Sequence, residues 1–115
     1  MAKKKKDDRN GNHYYFGELG ENPHGISYVR ATTDQKLDVE PRHYSKTGYK
    51  YFLVLEGALE IEVGGQSISV DSSRVLMVEP GEVHRVTRMV ESPCTFIVCG
   101  TIKDSTGADK VILHS

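Results

Sequence analysis

The fold is decided by residues 42–84, which read RHYSKTGYKYFLVLEGALEIEVGGQSISVDSSRVLMVEPGEVH. Over residues 58–63 apolar side chains alternate with glutamates, as in a strand with one buried and one solvent-facing side. The Gly-Gly pair at 64–65 supplies the positive φ of a tight hairpin, and a Pro-Gly turn follows at 80–81. This stretch therefore predicts short antiparallel strands joined by tight turns.

The same rhythm extends beyond this stretch in both directions. From Ile26 onward, short runs of β-branched and aromatic residues are separated by Gly, Pro, Asp and Ser, with no sustained helical period. Residues 49–55 are nearly all apolar or aromatic, which predicts a central strand covered on both faces. Turn signals at such short intervals favour a sandwich or barrel, so the predicted fold class is all-β.

Length and charge limit the classes of function. A chain of 115 residues supports one hydrophobic core, and a net charge of -1 gives no overall field that attracts nucleic acid. No apolar run reaches the roughly 18 residues that cross a bilayer, and no apolar segment follows the N-terminal lysines. We therefore expect a cytoplasmic protein that binds neither nucleic acid nor membrane.

The two ends of the chain differ from its middle. The opening residues MAKKKKDDRNGN lack apolar periodicity, which predicts a disordered or loosely attached tail over residues 1–15 and a single barrel domain over residues 16–115. Near the other end, residues 111–113 form a short apolar run that pairs with a strand edge or with a neighbouring subunit. Together with open barrel edges, this run predicts a homodimer.

Two pieces of the 42–84 stretch resemble the sequence motifs of the cupin superfamily, specifically its small single-domain conserved-barrel (cupin type 2) members. In the first family motif two histidines are separated by one residue, a glutamate follows, and a glycine ends the strand. The corresponding residues here are His43, Ser45, Lys50 and Gly57.

The second family motif is a Pro-Gly turn followed shortly by a histidine, which this chain matches with Pro80, Gly81 and His84. The resemblance covers about two thirds of the chain. It implies a double-stranded β-helix, the jelly-roll barrel, whose coiling brings His43 and His84 into one cavity.

The resemblance implies a metal site that is incomplete in this chain. Most metal-binding cupins hold the ion with three histidines and the glutamate, and only His43 and His84 are retained here. Ser45 replaces the second histidine and Lys50 replaces the carboxylate. An ammonium about 4 Å from a bound unit charge costs about 4 kcal/mol at an effective dielectric of 20, and a dication doubles that repulsion. Lys50 therefore argues against a metal.

The first hypothesis is a metal-free pocket in which His43, Lys50 and His84 gather positive charge for a small anionic metabolite, a sugar or organic acid derivative. Strand alternation places Ser45 on the face of His43 and Arg88 on the face of His84, so both join the candidate ligand-binding residues. Because histidine and a buried lysine can move protons near neutral pH, His84 and Lys50 are the candidate catalytic residues of an isomerase, epimerase or lyase. This hypothesis needs no cofactor.

Two alternatives stay open at this point. One is a metal-dependent cupin enzyme whose divalent ion is held by His43 and His84 and by further ligands from water or elsewhere in the chain. The other is a non-catalytic barrel that binds or senses a metabolite on behalf of a partner protein.

Overall fold

The computed structural model describes residues 4–7, 12–16, 26–32, 41–102 and 108–113. The strands are β1 (Lys4–Asp7), β2 (Asn12–Phe16), β3 (Ser27–Ala31), β4 (His43–Ser45), β5 (Lys50–Val63), β6 (Gln66–Asp71), β7 (Val75–Val78), β8 (His84–Gly100) and β9 (Lys110–Ile112). The described residues thus form the all-β jelly-roll barrel predicted from the sequence. They include no helix long and apolar enough to cross a membrane.

Two long strands organise the barrel into two layers. β5 and β8 pair antiparallel from Lys50↔Gly100 to Val63↔His84, with register shifts between residues 54 and 61 of β5. In the first layer, residues 50–56 of β5 lie between β7 and the end of β8, and β3 follows β8. In the second layer, residues 58–63 of β5 lie between β6 and the start of β8, which β4 and β9 follow.

Gly57 is the point at which β5 passes from one layer to the other. Its φ is +76°, and a Cβ at this position would lie 2.2 Å from the carbonyl oxygen of Pro93. Only glycine accepts both the left-handed backbone and this close approach. The family motif implies that a strand ends at this glycine, whereas the structure has a bend within one continuous strand.

The core fills the space between the layers. The predicted alternation in residues 58–63 is confirmed, because Leu59 and Ile61 are fully buried. From the first layer, Phe52, Val54 and Phe96 pack into the same cluster. The barrel interior is therefore apolar along most of its length, and polar side chains within it stand out.

The prediction that residues 49–55 form a strand covered on both faces is only half right. The strand is central, since it pairs with both β7 and β8. However, Tyr49 is 41% exposed and Leu55 is 54% exposed. The physical reason is that a barrel strand has one interior side, and no element of the described chain packs on the other.

Strand pairing extends into residues 1–15, for which the sequence predicts a disordered or loosely attached tail. There β1 pairs with β2, and β2 pairs with β3. Backbone hydrogen bonds to the open edge of β3 supply this order without an apolar core of the segment's own. At the other end, β9 pairs with β4, so the apolar C-terminal run covers a strand edge within the chain. The homodimer stays a prediction.

Candidate functional site

The candidate site lies where three strand ends meet. His43 begins β4 and stands directly opposite His84, which begins β8. Lys50 begins β5 on the interior side that it shares by alternation with Phe52 and Val54. The topology therefore brings together a histidine pair from the second layer and a lysine from the first.

The two imidazoles lie against each other inside the barrel. Their ring centroids are 4.4 Å apart with planes tilted by 57°, and the edge of Phe52 approaches His84 at a centroid distance of 6.3 Å. His43 is 4% exposed and His84 is 1% exposed. Two polar rings thus share an environment that is otherwise built from the apolar core.

Backbone carbonyls set the tautomer of both rings in the same way. Nδ1 of His43 lies 2.8 Å from the carbonyl oxygen of Pro41, and Nδ1 of His84 lies 2.9 Å from that of Glu82. A carbonyl oxygen only accepts hydrogen bonds, so Nδ1 carries the proton and donates in each neutral ring. Each Nε2 is then left as a lone-pair acceptor that points away from the backbone.

The two Nε2 atoms have different surroundings. Nζ of Lys50, a half-buried side chain, donates to Nε2 of His43 at 3.1 Å. Nε2 of His84 is buried and has no hydrogen-bond partner within the part of the chain that the structure describes. An unsatisfied buried acceptor costs about 1–3 kcal/mol. The site therefore combines an occupied acceptor with an unsatisfied one beside the same amine.

Burial keeps His84 neutral. Removal from water is the main cause that lowers its pKa from 6.5 to about 4, and the positive charge of Lys50 acts in the same direction. The hydrogen bond to the Glu82 carbonyl opposes this shift without reversing it. At neutral pH His84 thus presents an uncharged imidazole with a basic nitrogen.

The donor set does not fit a metal ion. Because both Nδ1 atoms are protonated, the ligating atom of each ring would be Nε2, and on His43 that atom already accepts a hydrogen bond from an amine. Among the described residues, no three His, Cys, Asp or Glu side chains are grouped to hold an ion. A catalytic zinc site uses three protein ligands, whereas only two imidazoles are present here.

The other predicted ligand-binding residues lie outside this group. Ser45 is half-buried on β4, and its backbone carbonyl accepts a hydrogen bond from the N–H of Gly81. Arg88 is exposed and paired with Glu60, with Nε 3.2 Å from a carboxylate oxygen. Among the described residues, no hydrogen bond or ion pair joins the side chain of either one to the histidine pair.

The prediction that Arg88 shares a face with His84 is wrong. Ile61 pairs with Val86, whereas the preceding residue of β5, Glu60, pairs with Arg88. Thr87 is the extra residue of this bulge, and its hydroxyl donates to the backbone and side chain of Glu60. One inserted residue reverses the alternation, so Arg88 lies on the outer side.

Sequence reasoning missed the groups that orient the rings. The carbonyls of Pro41 and Glu82 fix both tautomers, yet every residue has a carbonyl and no side-chain pattern marks these two. Their shared position, two residues before a strand-opening histidine, is a signal that is visible only once the strand ends are known.

Several solved structures have a similar fold at low sequence identity. A variant of Pac13 from Streptomyces, solved with uridine, has a TM-score of 0.65 and 10% identity over 97% of this chain and 85% of that protein. Pac13 is described as a nucleoside dehydratase. KdgF from Halomonas sp. has a TM-score of 0.61 and 12% identity over 88% of this chain and 87% of KdgF.

A longer protein contains the same barrel as one part. The capsular polysaccharide assembling protein CapF from Staphylococcus aureus has a TM-score of 0.66 and 17% identity, over 100% of this chain but 32% of CapF. No protein of curated function matches the sequence significantly. At these identities the structural similarities show the fold alone. The chemistry of the site has to be inferred from the residues of this chain.

The sequence itself decides the family. The model of the cupin domain matches residues 32–100, which is more than half of the chain and includes all three residues of the candidate site. With a jelly-roll barrel around a histidine pair supplied by both family motifs, the chain belongs to the cupin domain family.

Proposed function

We propose that this cupin binds a small anionic metabolite, a sugar or organic acid derivative, at His43, Lys50 and His84. We further propose that it catalyses the transfer of a proton from or to that metabolite. The observation that carries the proposal is the amine of Lys50 held on Nε2 of one buried imidazole, beside a second whose Nε2 has no partner in the described chain. The reaction classes are those of isomerases, epimerases and lyases. No metal or other cofactor forms part of the proposal.

The anion-binding role falls to Lys50. Its side chain is only half-buried, whereas both imidazoles are buried, so a ligand that enters from solvent meets the amine first. A carboxylate or phosphate gains a charge-assisted hydrogen bond from an ammonium group. His43 acts as a positioning residue that holds the amine in place through its Nε2 atom.

The proton-accepting role falls to His84. An anion beside Lys50 offsets the positive charge that now lowers the pKa of His84. The same binding event therefore raises that pKa towards neutrality, where a general base is most effective. The ammonium group of Lys50 can donate the second proton, to a carbon of the intermediate in an isomerisation or to the oxygen of the leaving group in an elimination, so the pair supports both halves of either reaction.

Fold relatives support a sugar-bearing ligand. Pac13, which shares the barrel, is described as a nucleoside dehydratase and was solved with uridine. Loss of water is a lyase-type reaction that needs proton transfer. The near-zero net charge of the chain supports a protein without nucleic acid or anionic membrane partners, which we propose together with a cytoplasmic location.

Ligand protection against thermal unfolding tests the binding step. Glucuronate, gluconate, citrate, uridine monophosphate and inorganic phosphate are the probes, with glucose and uridine as uncharged counterparts. We expect at least one anion to raise the melting temperature of the wild type, and Lys50→Met to weaken its affinity at least about 10-fold through loss of one charge-assisted hydrogen bond. The matched control is Lys46→Met, because Lys46 is exposed four residues away. Equal protection of both variants would remove Lys50 from the site.

The catalytic step is tested on the anion that binds best. In D₂O the wild type should exchange a carbon-bound proton of that ligand, as followed by NMR, and His84→Gln should slow this exchange while ligand binding persists. Binding without any exchange or turnover would instead make the chain a metabolite-binding or sensing barrel.

A further inference from the structure

Strand β9 places a second lysine, Lys110, on the same side of the sheet as the histidine pair. The register of β9 with β4 sets Lys110 opposite Ser45 and Ile112 opposite His43. Directly opposed residues of an antiparallel pair project from the same face, with Cβ atoms about 4.5–5.5 Å apart. Because Ser45 shares a face with His43 by alternation, Lys110 lies on that face as well, two residues from the position opposite His43.

This face leads from the barrel interior to solvent. His43 is 4% exposed, Ser45 is half-buried, and Ile112 on the edge strand is 43% exposed. Lys110 is itself exposed. Its ammonium group can therefore meet a ligand at the entrance, before that ligand reaches the buried imidazoles.

Electrostatics place the charge of Lys110 close to the site. Burial is the main cause that lowers the pKa of His84, and the charges of Lys50 and, more weakly, Lys110 act in the same direction. Exposed charges are largely screened beyond about 8 Å at physiological ionic strength, so an effect on this ring indicates a nearby amine. The two amines therefore act on one imidazole.

The two lysines belong to opposite layers of the barrel. Lys50 begins β5 in the first layer, whereas Lys110 begins β9, which follows β4 in the second. Asp109 ties these elements together, because its carboxylate accepts hydrogen bonds from the backbone N–H groups of Thr47 and Gly48 at 2.9 and 3.2 Å, in the turn that leads into β5. Two amines held on separate strands suit two separate negative groups.

We propose that Lys110 is a second anion-binding residue of this site, which makes the site selective for sugar or hydroxy acids with a carboxylate at each end. The inference rests on the proposed function, because Lys50 has to bind the first carboxylate. Lys110 binds the second through a charge-assisted hydrogen bond. The dicarboxylate then bridges the two layers across the entrance. Lys110 determines which anion is accepted and takes no part in the proton transfer.

A pair of ligands with the same carbon skeleton tests this selectivity. Glucarate has a carboxylate at each end of its chain, gluconate has only one, and thermal protection measures the affinity for each. We expect the wild type to bind glucarate at least about 5-fold more tightly than gluconate, and Lys110→Met to bind the two within about 2-fold of each other. Lys110→Arg should retain the preference. The matched control is Lys46→Met, which removes the charge of another exposed lysine and should also retain it.

The results separate this inference from the proposed function. If Lys110→Met keeps the wild-type preference for glucarate, the inference is overturned, while Lys50 can still bind gluconate. If uridine monophosphate depends on Lys110 and glucarate does not, the two amines share one phosphate group, which contradicts the assignment of two carboxylates. If no anion protects the wild type, both proposals fail.

A titration without ligand checks the position of the amine. Lys110→Met should raise the pKa of His84 by less than Lys50→Met does, because burial and the charge of Lys50 remain. Lys46→Met should leave that pKa at its wild-type value. Lys110 is exposed, so the barrel should still form, as circular dichroism can verify. A pKa of His84 that is unchanged in Lys110→Met would place the ammonium group away from the ring and overturn the inference.

Discussion

The two halves of the site, residues 41–43 and residues 82–84, have the same local structure and different surroundings. In each, a histidine opens a strand and its Nδ1 donates to the carbonyl two residues earlier. Each ring is buried, and the two rings lie against each other. Yet Nε2 of His43 accepts from Lys50, whereas Nε2 of His84 is unsatisfied in the described chain. One side chain from the opposite layer creates this asymmetry.

The difference between the two rings shows the effect of Lys50 on a pair of buried imidazoles. A carboxylate at position 50 would complete a ligand set of two Nε2 atoms and one oxygen, which is a common arrangement for a bound divalent ion. The amine instead supplies a positive charge of its own and lowers the pKa of the neighbouring imidazole. Lys50 therefore converts a place suited to a cation into one suited to an anion.

The largest expected effect is a reversal of that conversion. In Lys50→Glu the ligand set becomes two imidazoles and a carboxylate, so we expect Zn²⁺ or Co²⁺ to bind at least about 1,000-fold more tightly than to the wild type. Calorimetry with Zn²⁺ measures the affinity, and the visible absorption of Co²⁺ reports its coordination.

Lys46→Glu is the matched control for this gain. It adds the same charge change at an exposed position of the turn before β5 and should leave metal affinity at the wild-type level. If the wild type bound the ion as tightly as Lys50→Glu, the amine could not occupy the position described here.

Unfolding at acid pH tests whether the buried ring of His84 is held neutral. Its pKa is about 4 in the folded protein and 6.5 when unfolded, so between these values the unfolded chain binds more protons. The contribution of the neutral His84 ring to the free energy of unfolding is therefore fully present above pH 6.5. It is lost as the pH drops towards 4. We expect His84 to contribute a loss of about 2–3 kcal/mol between pH 7 and pH 4.5.

Urea unfolding at both pH values measures this loss. Carboxylates with lowered pKa values, Glu62, Asp71 and Asp109, weaken the fold in acid as well, but they do so equally in wild type and variant. In His84→Gln the difference between the two pH values should shrink by the contribution of His84. An unchanged difference would show that the imidazole is not held neutral.

Much of the fold and part of the site could be predicted from the sequence. The alternation in residues 58–63 and the two family motifs were enough to place His43 and His84 in one barrel, whereas the strand end expected at Gly57 is a bend within one strand. The position of Lys50 relative to its family's glutamate was also visible, but a lysine side chain is long enough to turn outward. Only the contact with His43 shows that it points inward.

The rest depended on features that leave no mark in a residue pattern. A bulge at Thr87 moved Arg88 to the outer side, and a single inserted residue cannot be read from alternation alone. The tautomers depend on backbone carbonyls, which every residue possesses. The strands near the N-terminus arise from pairing with an available edge, so the composition of that segment did not indicate them.

The central claim is that Lys50 holds one imidazole and, together with burial, keeps the other uncharged, and an NMR titration of the ring nitrogens tests it most directly. For the wild type we predict both rings neutral at pH 7 with the proton on Nδ1, and His84 titrating near pH 4. In Lys50→Met the Nε2 resonance of His43 should shift as its donor is lost, and the pKa of His84 should rise while remaining below 6.5 because burial persists. Imidazole spectra identical in the two proteins, or a His84 ring protonated at pH 7, would contradict the account.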